Sequence, residues 1–326
     1  MPILSVALCT YNGEKYLDQQ LNSILNQSIA IDEVIICDDS SSDNTIKIVK
    51  EFQNKFPSII KLYINTVSLG PVKNFEKALG LCTGEIIFLS DHDDIWKKNK
   101  VEHIIEMFEK SPFIEAVFSD GEFIDQNNVL TGRTLWNTFK FDFELQKYWS
   151  SGNALTEIIY RNKITGATLA IKKSLFNRAV PFLLLPSVWH DAWLGIHAAA
   201  NKTLGWINEP LIQYRIHADQ QVGIGNGITL SSGGIKKSSK EKLSDEKGFY
   251  SNCISMINQI ADQYPDIDKK VLQKEALDKL LWINYRINLP KNVFFRLFKI
   301  LNNIKYYWIN SNLPIRTIIK DILIVR

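Results

Sequence analysis

The sequence predicts an α/β fold, a mostly parallel central sheet flanked by helices and followed by a helical C-terminal appendage. Short apolar runs of strand length alternate with stretches whose apolar residues recur at helical spacing, which implies parallel strands joined by crossover helices. Polar clusters follow the ends of successive strands, where ligands bind in such sheets. Beyond Ser238 the alternation gives way to helical stripes alone.

The first strand, 3–8, breaks at Cys9-Thr10-Tyr11-Asn12-Gly13, and a helix over 14–26 follows with Leu17, Leu21, Ile24 and Leu25 on one face. The second, 33–37, ends in Asp38-Asp39-Ser40-Ser41-Ser42-Asp43 before a helix carrying Ile46, Val49 and Phe52. A third strand is expected at 61–65, then a loop over 69–75 that contains Lys73 and Asn74, then a helix over 76–81. The run 86–89 is a buried strand that leads into Ser90-Asp91-His92-Asp93-Asp94-Ile95-Trp96. Carboxylates at i and i+2 of a strand end point the same way, so Asp91 and Asp93 can share a hard divalent cation; spacing alone leaves a solvated acidic turn equally open.

Val101, Ile104, Ile105 and Phe108 mark an amphipathic helix, followed by a strand at 116–120, with Asp120 at its end, and a turn at 125–128. The stretch 130–163 loses the alternation and concentrates Trp136, Phe139, Phe141, Phe143, Tyr148 and Trp149, faces that suit sugar rings or lipid carriers but equally plain core. A strand at 164–171 contains Gly166, where the backbone can approach a ligand closely. Next comes Trp189-His190-Asp191-Ala192-Trp193, then a helix over 192–200, a strand at 204–207 and the run Leu211-Ile212-Gln213-Tyr214-Arg215-Ile216-His217. A carboxylate between two large rings is partly desolvated and so a better base than one in water, although Asp191 is also a plausible helix cap.

At 326 residues and 45% hydrophobic the chain can bury a large core. A net charge of +3 argues against a nucleic-acid partner. Cys9, Cys37, Cys82 and Cys253 form no C-x-x-C pair and read as buried reduced thiols. No basic leader, membrane-length apolar run, G-x-G-x-x-G or Walker motif occurs, so a cytoplasmic protein without a dinucleotide or P-loop site is expected.

In order and spacing, Val6-Ala7-Leu8-Cys9-Thr10-Tyr11-Asn12, Ile35-Ile36-Cys37-Asp38-Asp39-Ser40-Ser41-Ser42-Asp43 and Ser90-Asp91-His92-Asp93-Asp94-Ile95-Trp96 resemble the family 2 inverting glycosyltransferases of GT-A fold, a Rossmann-like α/β class. With Tyr214-Arg215-Ile216-His217, they look most like bacterial rhamnosyltransferase-type members, though His92 stands where such members often carry glutamine. The resemblance implies that Thr10, Tyr11, Asn12, Asp38 and Asp39 hold the nucleotide base, with Asp39 the better match of the pair. A tyrosine ring offers a stacking face, and a carboxylate can accept from a pyrimidine imide N–H. Capping of the following helix is the competing role for Asp38-Asp39-Ser40.

By the same resemblance Asp91-His92-Asp93 is the D-x-D element that seats Mn2+ or Mg2+ on the donor diphosphate. Asp93 is then the direct ligand, Asp91 assists, and His217 completes the metal sphere. Lys73, Asn74 and Arg215 would contact the donor. Gly166 belongs to a T-G element, with His190 and Trp193 on the acceptor side and Asp191 as the general base of a single inverting displacement. Expected partners are a nucleotide-sugar donor, dTDP-rhamnose first and a UDP-hexose second, and a saccharide or lipid-linked saccharide acceptor in bacterial surface-polysaccharide synthesis. A glycoside hydrolase and a non-catalytic carbohydrate-binding subunit of a glycan-assembly complex are the competing classes.

The expected domains are a catalytic domain over 1–225, split into a nucleotide-sugar half (1–100) and an acceptor half (101–225), a Gly/Ser-rich flexible loop over 226–240, and a helical region over 241–326. Two helical stripes stand out there: Phe249, Cys253, Met256, Ile257 and Ile260, then Val271, Leu272, Ala276, Leu280 and Leu281. The segment 291–326 carries seven basic residues against one acid, Asp321, hence seven minus one or +6, interleaved with aromatics. That profile fits peripheral contact with an anionic membrane, at the cytoplasmic face, or packing of the tail on its own domain.

Overall fold

β1 (Leu4–Thr10) and β2 (Glu33–Asp38) are buried at every residue, which is why they read as continuous apolar runs: parallel strands are covered on both faces. They pair in parallel, with β3 (Ile60–Ile64) beside β2 and β4 (Ile86–Ser90) on the other side of β1. The crossovers α1 (Leu17–Leu25), α2 (Thr45–Lys55) and α3 (Pro71–Leu81) bury Leu17, Leu21 and Ile24, then Val49 and Phe52, then Phe75, Ala78 and Leu79. Register places Thr10 beside Asp38 and Leu8 beside Ser90, so the polar ends of β1, β2 and β4 meet at one edge. α3 starts earlier than expected, because Pro71 at its first position loses no hydrogen bond; Lys73 and Asn74 therefore stand in a helical turn rather than a loop.

The computed structural model describes residues 2–186, 188–218, 220, 224–225, 228–229, 239–290 and 292–323. The chain divides into two compact units, Met1–Leu184 with Val188–Ser231, and Leu185–Ser187 with Ser232–Arg326.

In the first unit the sheet continues through β5 (Ile95–Trp96), β6 (Ala116–Ile124), β7 (Leu130–Thr134), β8 (Ala170–Lys172) and β9 (Leu204–Arg215), giving nine strands in the order β3-β2-β1-β4-β8-β6-β9-β5 with β7 against β6. β6 and β9 are parallel, while β8 is antiparallel to both β4 and β6 and β5 to β9, so this half is mixed. The helices are α4 (Lys100–Lys110), α5 (Leu135–Phe139), α6 (Phe143–Tyr148), α7 (Ala154–Arg161), α8 (Lys173–Ala179) and α9 (His190–Ala200). The strand expected at 164–171 is mostly absent: Gly166–Thr168 is a 3-10 turn, and pairing starts only at Ala170. The strand expected at 204–207 runs on to Arg215 as β9, which carries Pro210 through a register shift opposite Asp120. Asp120 accordingly lies within β6, accepting from Trp136 N–H at 3.0 Å.

The irregular aromatic segment divides between core and surface. Trp136, Phe141 and Trp149 gather around Phe118 with Trp206, ring centroids 5.4 to 6.4 Å from it, whereas Phe143 and Tyr148 are exposed. All four cysteines are buried free thiols.

Short β10 (Ile224–Gly225) and β11 (Ile228–Thr229) pair with each other. Of the loop expected at 226–240, residues 226–227 and 230–238 lie outside the described residues, and Ser239 and Lys240 already belong to α10 (Ser239–Gln263). The second unit continues with α11 (Lys269–Ile287), α12 (Val293–Asn302), α13 (Ile304–Asn310) and α14 (Pro314–Leu323). Cys253, Met256, Ile257 and Ile260 are buried as expected, but Val271 and Leu281 face solvent, and Trp282 and Ile283 bury with Leu272 and Ala276 instead. Trp282, Leu289, Ile300 and Tyr307 form a core cluster, with Tyr285, Tyr306, Ile318 and Ile322 packed on it.

Below that cluster Asp321 is 2% exposed. It accepts Nε and a terminal N–H of Arg286, both at 2.8 Å, and the Tyr307 hydroxyl at 3.0 Å. Removing one partner of such a pair strands a buried charge, so Arg286→Ala should cost about 3 kcal/mol. Urea unfolding followed by tryptophan fluorescence would measure it, and a cost under about 1 kcal/mol would mean that water screens the pair.

Candidate active site

The edge where β1, β2 and β4 end is cross-tied by side chains. Thr10 donates to Asp38 at 2.8 Å, and Asp38 also accepts the Ser41 N–H and hydroxyl. Asn12, at φ 49, donates its N–H to Ser41 and accepts the Ser42 N–H, both at 2.9 Å. Tyr11 between them is exposed, its ring available to a planar ligand. Asp39 accepts from Asn65, Ser68 and the Leu69 and Gly70 N–H groups at 2.7 to 2.9 Å. Burial works against its charge, but those four bonds outweigh it and hold the carboxyl below its usual range. They also fill both oxygens, so in this conformation Asp39 organises the segment between β3 and α3. Neither Asp38 nor Asp39 caps α2, whose N-cap is Asn44. Asn74 is buried and committed to Asn65 and to the Cys37 carbonyl, while Lys73 is paired with Glu76 at 2.6 Å.

Past β4 the chain turns through Asp91-His92-Asp93-Asp94, and the carboxylates separate by environment. Asp93 meets His217 Nε2 at 3.0 Å. Burial opposes its ionisation, yet the His217 bond and the charges of His92 and His217 prevail and keep it low. Asp91 is pushed up to about 7, first by burial and then by Asp93 and Asp191. Asp94 goes up further through burial, Asp93 and Asp91; one oxygen accepts the Arg215 N–H at 3.0 Å and the other has no partner. Asp93 is thus the carboxylate that stays ionised. His92 packs so tightly on the β1–α1 turn that a Cβ at Gly13 would come within 2.4 Å of its ring.

Arg215 is fully buried. Its guanidinium donates to the carbonyls of Asp93 and Asp125 and to Asn128 and Gln19, and lies 4.4 Å from the Tyr16 ring centroid. Five N–H donors are available and these bonds use four, so Arg215 pins the acidic turn. Tyr16 also packs on His217, 4.9 Å between ring centroids, and the buried His217 Nδ1 has no partner.

Asp191 is brought to this edge by α9. Its charge reaches Asp91. It is not the N-cap, a position held by Trp189; it sits in the first turn, where one oxygen accepts the Gly166 N–H at 3.0 Å and the other the Ala192 N–H at 2.5 Å. Burial prevails over those bonds and raises its carboxyl to about 6. The 3-10 turn lies so close to α9 that a Cβ on Gly166 would fall 2.7 Å from His190 Nε2. That imidazole stacks on Phe75 at 3.9 Å, and burial lowers it to about 3, so it packs as a neutral ring. Trp193 is buried, donating to the Ala179 carbonyl at 2.8 Å.

Sequence reasoning missed Lys100. Fully buried, it donates to the Ala167 carbonyl at 2.8 Å and lies 3.7 Å from the Trp96 ring centroid. Burial lowers its ammonium to about 7 against the pull of Asp94 and Asp91. Its signal was a lysine opening a helix, the end where the backbone dipole repels a cation. Tyr16 and Gln19 were also missed and read as ordinary helix residues. Among the described residues no three His, Cys, Asp or Glu side chains are arranged to hold a metal ion, so Asp91, Asp93 and His217 supply at most part of a coordination sphere.

An α/β edge that combines a stacking ring, an ionised carboxylate and a desolvated one suits group transfer from a nucleotide. Comparison with known proteins agrees. Residues 5–165 match the model of "Glycosyl transferase family 2". The dTDP-rhamnosyl transferase RfbG of Shigella flexneri is 30% identical over 230 residues, covering 66% of this chain and 73% of that one. WfgD of Escherichia coli, a UDP-Glc:alpha-D-GlcNAc-diphosphoundecaprenol beta-1,3-glucosyltransferase, is 35% identical over 128 residues, 39% of this chain and 49% of its own. S. aureus TarS, crystallised with UDP-GlcNAc, superposes with a TM-score of 0.58 at 17% identity over 98% of this chain and 88% of that one; the likeness shows the GT-A fold. The chain belongs to glycosyl transferase family 2 and is a glycosyltransferase.

Gly166→Ala should displace the turn that orients Asp191, because His190 is held by Phe75 and cannot yield. Transfer should fall by about 100-fold, the cost of an ångström-scale misplacement, while nucleotide binding measured by calorimetry stays unchanged. Unaltered turnover would show that the turn does not position Asp191.

Proposed function

We propose that the protein is an inverting, metal-dependent glycosyltransferase of bacterial surface-polysaccharide synthesis, moving a sugar from a nucleotide-sugar donor to a saccharide or lipid-linked saccharide acceptor. The observation that carries the reading is Asp191: a carboxyl raised to about 6, clamped by two backbone N–H groups, on the edge that also bears the acidic turn. RfbG supports dTDP-rhamnose as first choice of donor. WfgD supports a UDP-hexose as second choice and an acceptor carried on a lipid diphosphate. The basic, aromatic 291–326 segment would contact an anionic membrane.

In this reading Tyr11 stacks on the base, with Thr10 and Asn12 shaping its loop. Asp38 and Asp39 hold the surrounding segments, and Asp39 meets the base by exchanging one of its present bonds. Lys73 and Asn74 support the donor side, Asn74 from within, and Gly166, His190 and Trp193 shape the acceptor side. Asp191 takes the acceptor hydroxyl proton as that oxygen bonds to the anomeric carbon. The bond from that carbon to the diphosphate oxygen breaks on the opposite face, inverting the centre in one displacement.

Mn2+ or Mg2+ fits this edge: Asp93 is ionised, Asp91 and His217 stand beside it, and His217 Nδ1 and one Asp94 oxygen are buried without partners. Such ions are typically held by one or two carboxylates plus substrate phosphates, in keeping with an incomplete protein sphere. Bound there, the ion would neutralise charge on the departing nucleoside diphosphate. Arg215 acts through the backbone of Asp93 rather than on the diphosphate.

Incubating the protein with dTDP- and UDP-sugars, Mn2+ or Mg2+ and lipid-linked acceptors should release nucleoside diphosphate, and chelation should stop it. No release from any donor would sink the reading. Asp191→Asn should bind donor normally and lose at least about 100-fold in transfer. Because Asp191 must be ionised to accept the proton, turnover should fall as pH drops through about 6 and level off above it. A profile flat across that range would remove Asp191 as the base.

A further inference from the structure

Helices α12, α13 and α14 leave apolar surface uncovered. On α12, Phe294 and Phe298 are 76% and 62% exposed, on the face opposite the buried Arg296 and Ile300. On α14, Ile315, Ile319 and Leu323 recur every four residues and are 62%, 50% and 71% exposed. Arg316 and Lys320, themselves one turn apart and exposed, run beside that stripe. On α13, Trp308 is 59% exposed and Lys305 is exposed as well.

The charge on this surface has one sign. The single acid among residues 292–323, Asp321, is buried and neutralised by Arg286 of α11, and Arg296 is buried against backbone carbonyls. The basic side chains of this segment that reach solvent are Lys299, Lys305, Arg316 and Lys320. Exposed aromatic and aliphatic side chains interleaved with cations, in a segment whose one acid is buried, match the headgroup layer of an anionic bilayer. A second copy of the chain would bring cation against cation. None of the described helices is long and apolar enough to cross the membrane, so the contact would be peripheral.

We propose that α12–α14 lie on an anionic bilayer, their apolar faces in the boundary between headgroups and acyl chains and their lysines and arginines against lipid phosphates. The inference deepens the membrane contact of the proposed function and rests on it; its use would be to hold the enzyme where a lipid-linked acceptor is found.

Flotation of the full-length protein with vesicles of phosphatidylcholine, with or without phosphatidylglycerol, tests it. Wild type should float with the anionic vesicles and largely fail to float with neutral ones. Arg316→Glu with Lys320→Glu should weaken binding at least about tenfold, and Phe294→Asn with Phe298→Asn should do likewise. Both double variants should release nucleoside diphosphate at the wild-type rate with a soluble acceptor, which separates a failure of docking from a failure of the transferase reading. Wild type that stays unbound, or variants that float as wild type does, would overturn the proposal. A solution dimer abolished by the phenylalanine changes would overturn it in favour of a second copy.

Discussion

The constraint on which the first unit depends is the crowding of Asp91, Asp93, Asp94 and Asp191 at one edge of the sheet. Four carboxylates in a partly desolvated space cannot all be ionised without compensation. The chain answers in three ways. His217 and His92 hold Asp93 ionised, burial keeps Asp94 toward its protonated form, and Lys100 puts an ammonium beneath the turn. Much of the surrounding structure serves these answers. Tyr16 packs on His217, Trp96 covers Lys100, and Arg215 ties the turn to residues as distant as Gln19 and Asn128.

The two halves of the sheet divide the work. The parallel half supplies strand ends in register, which brings the β1–α1 turn, with Asn12 in the left-handed region, and the acidic turn to one edge. The mixed half brings Asp191, the base proposed above, to the edge, and needs Gly166 for it, since that turn both donates to Asp191 and lies against His190. Lys100 joins the halves: its charge is felt at Asp91 and Asp94, while its bond goes to Ala167 in the same turn as Gly166.

The parallel half was legible because it is built from local patterns, apolar runs of strand length and amphipathic helices. The acidic turn and Asp191 were legible as chemistry out of place. What could not be read was partnership. Nothing in the order of residues shows that Asp39 is saturated by the segment after β3, that Arg215 faces inward, or that Asn74 is core. Those facts depend on contacts across 9 to 196 residues of chain. The strand expected at 164–171 held only at its end for a related reason: its apolar residues are buried, but Gly166–Thr168 bury in a 3-10 turn against His190 and only Ala170 and Ile171 join a ladder.

Gly13 and His92 carry a last consequence. The imidazole occupies the volume that any side chain at position 13 would need. The two positions are therefore not free to vary independently. A chain of this architecture with a bulkier residue at 13 must carry a smaller or differently aimed one at 92, in the middle of the metal-binding triplet proposed here. A comparison of relatives for donor preference should accordingly treat the β1–α1 turn and the acidic turn as one inherited unit, since the shape of one sets which residues the other can hold.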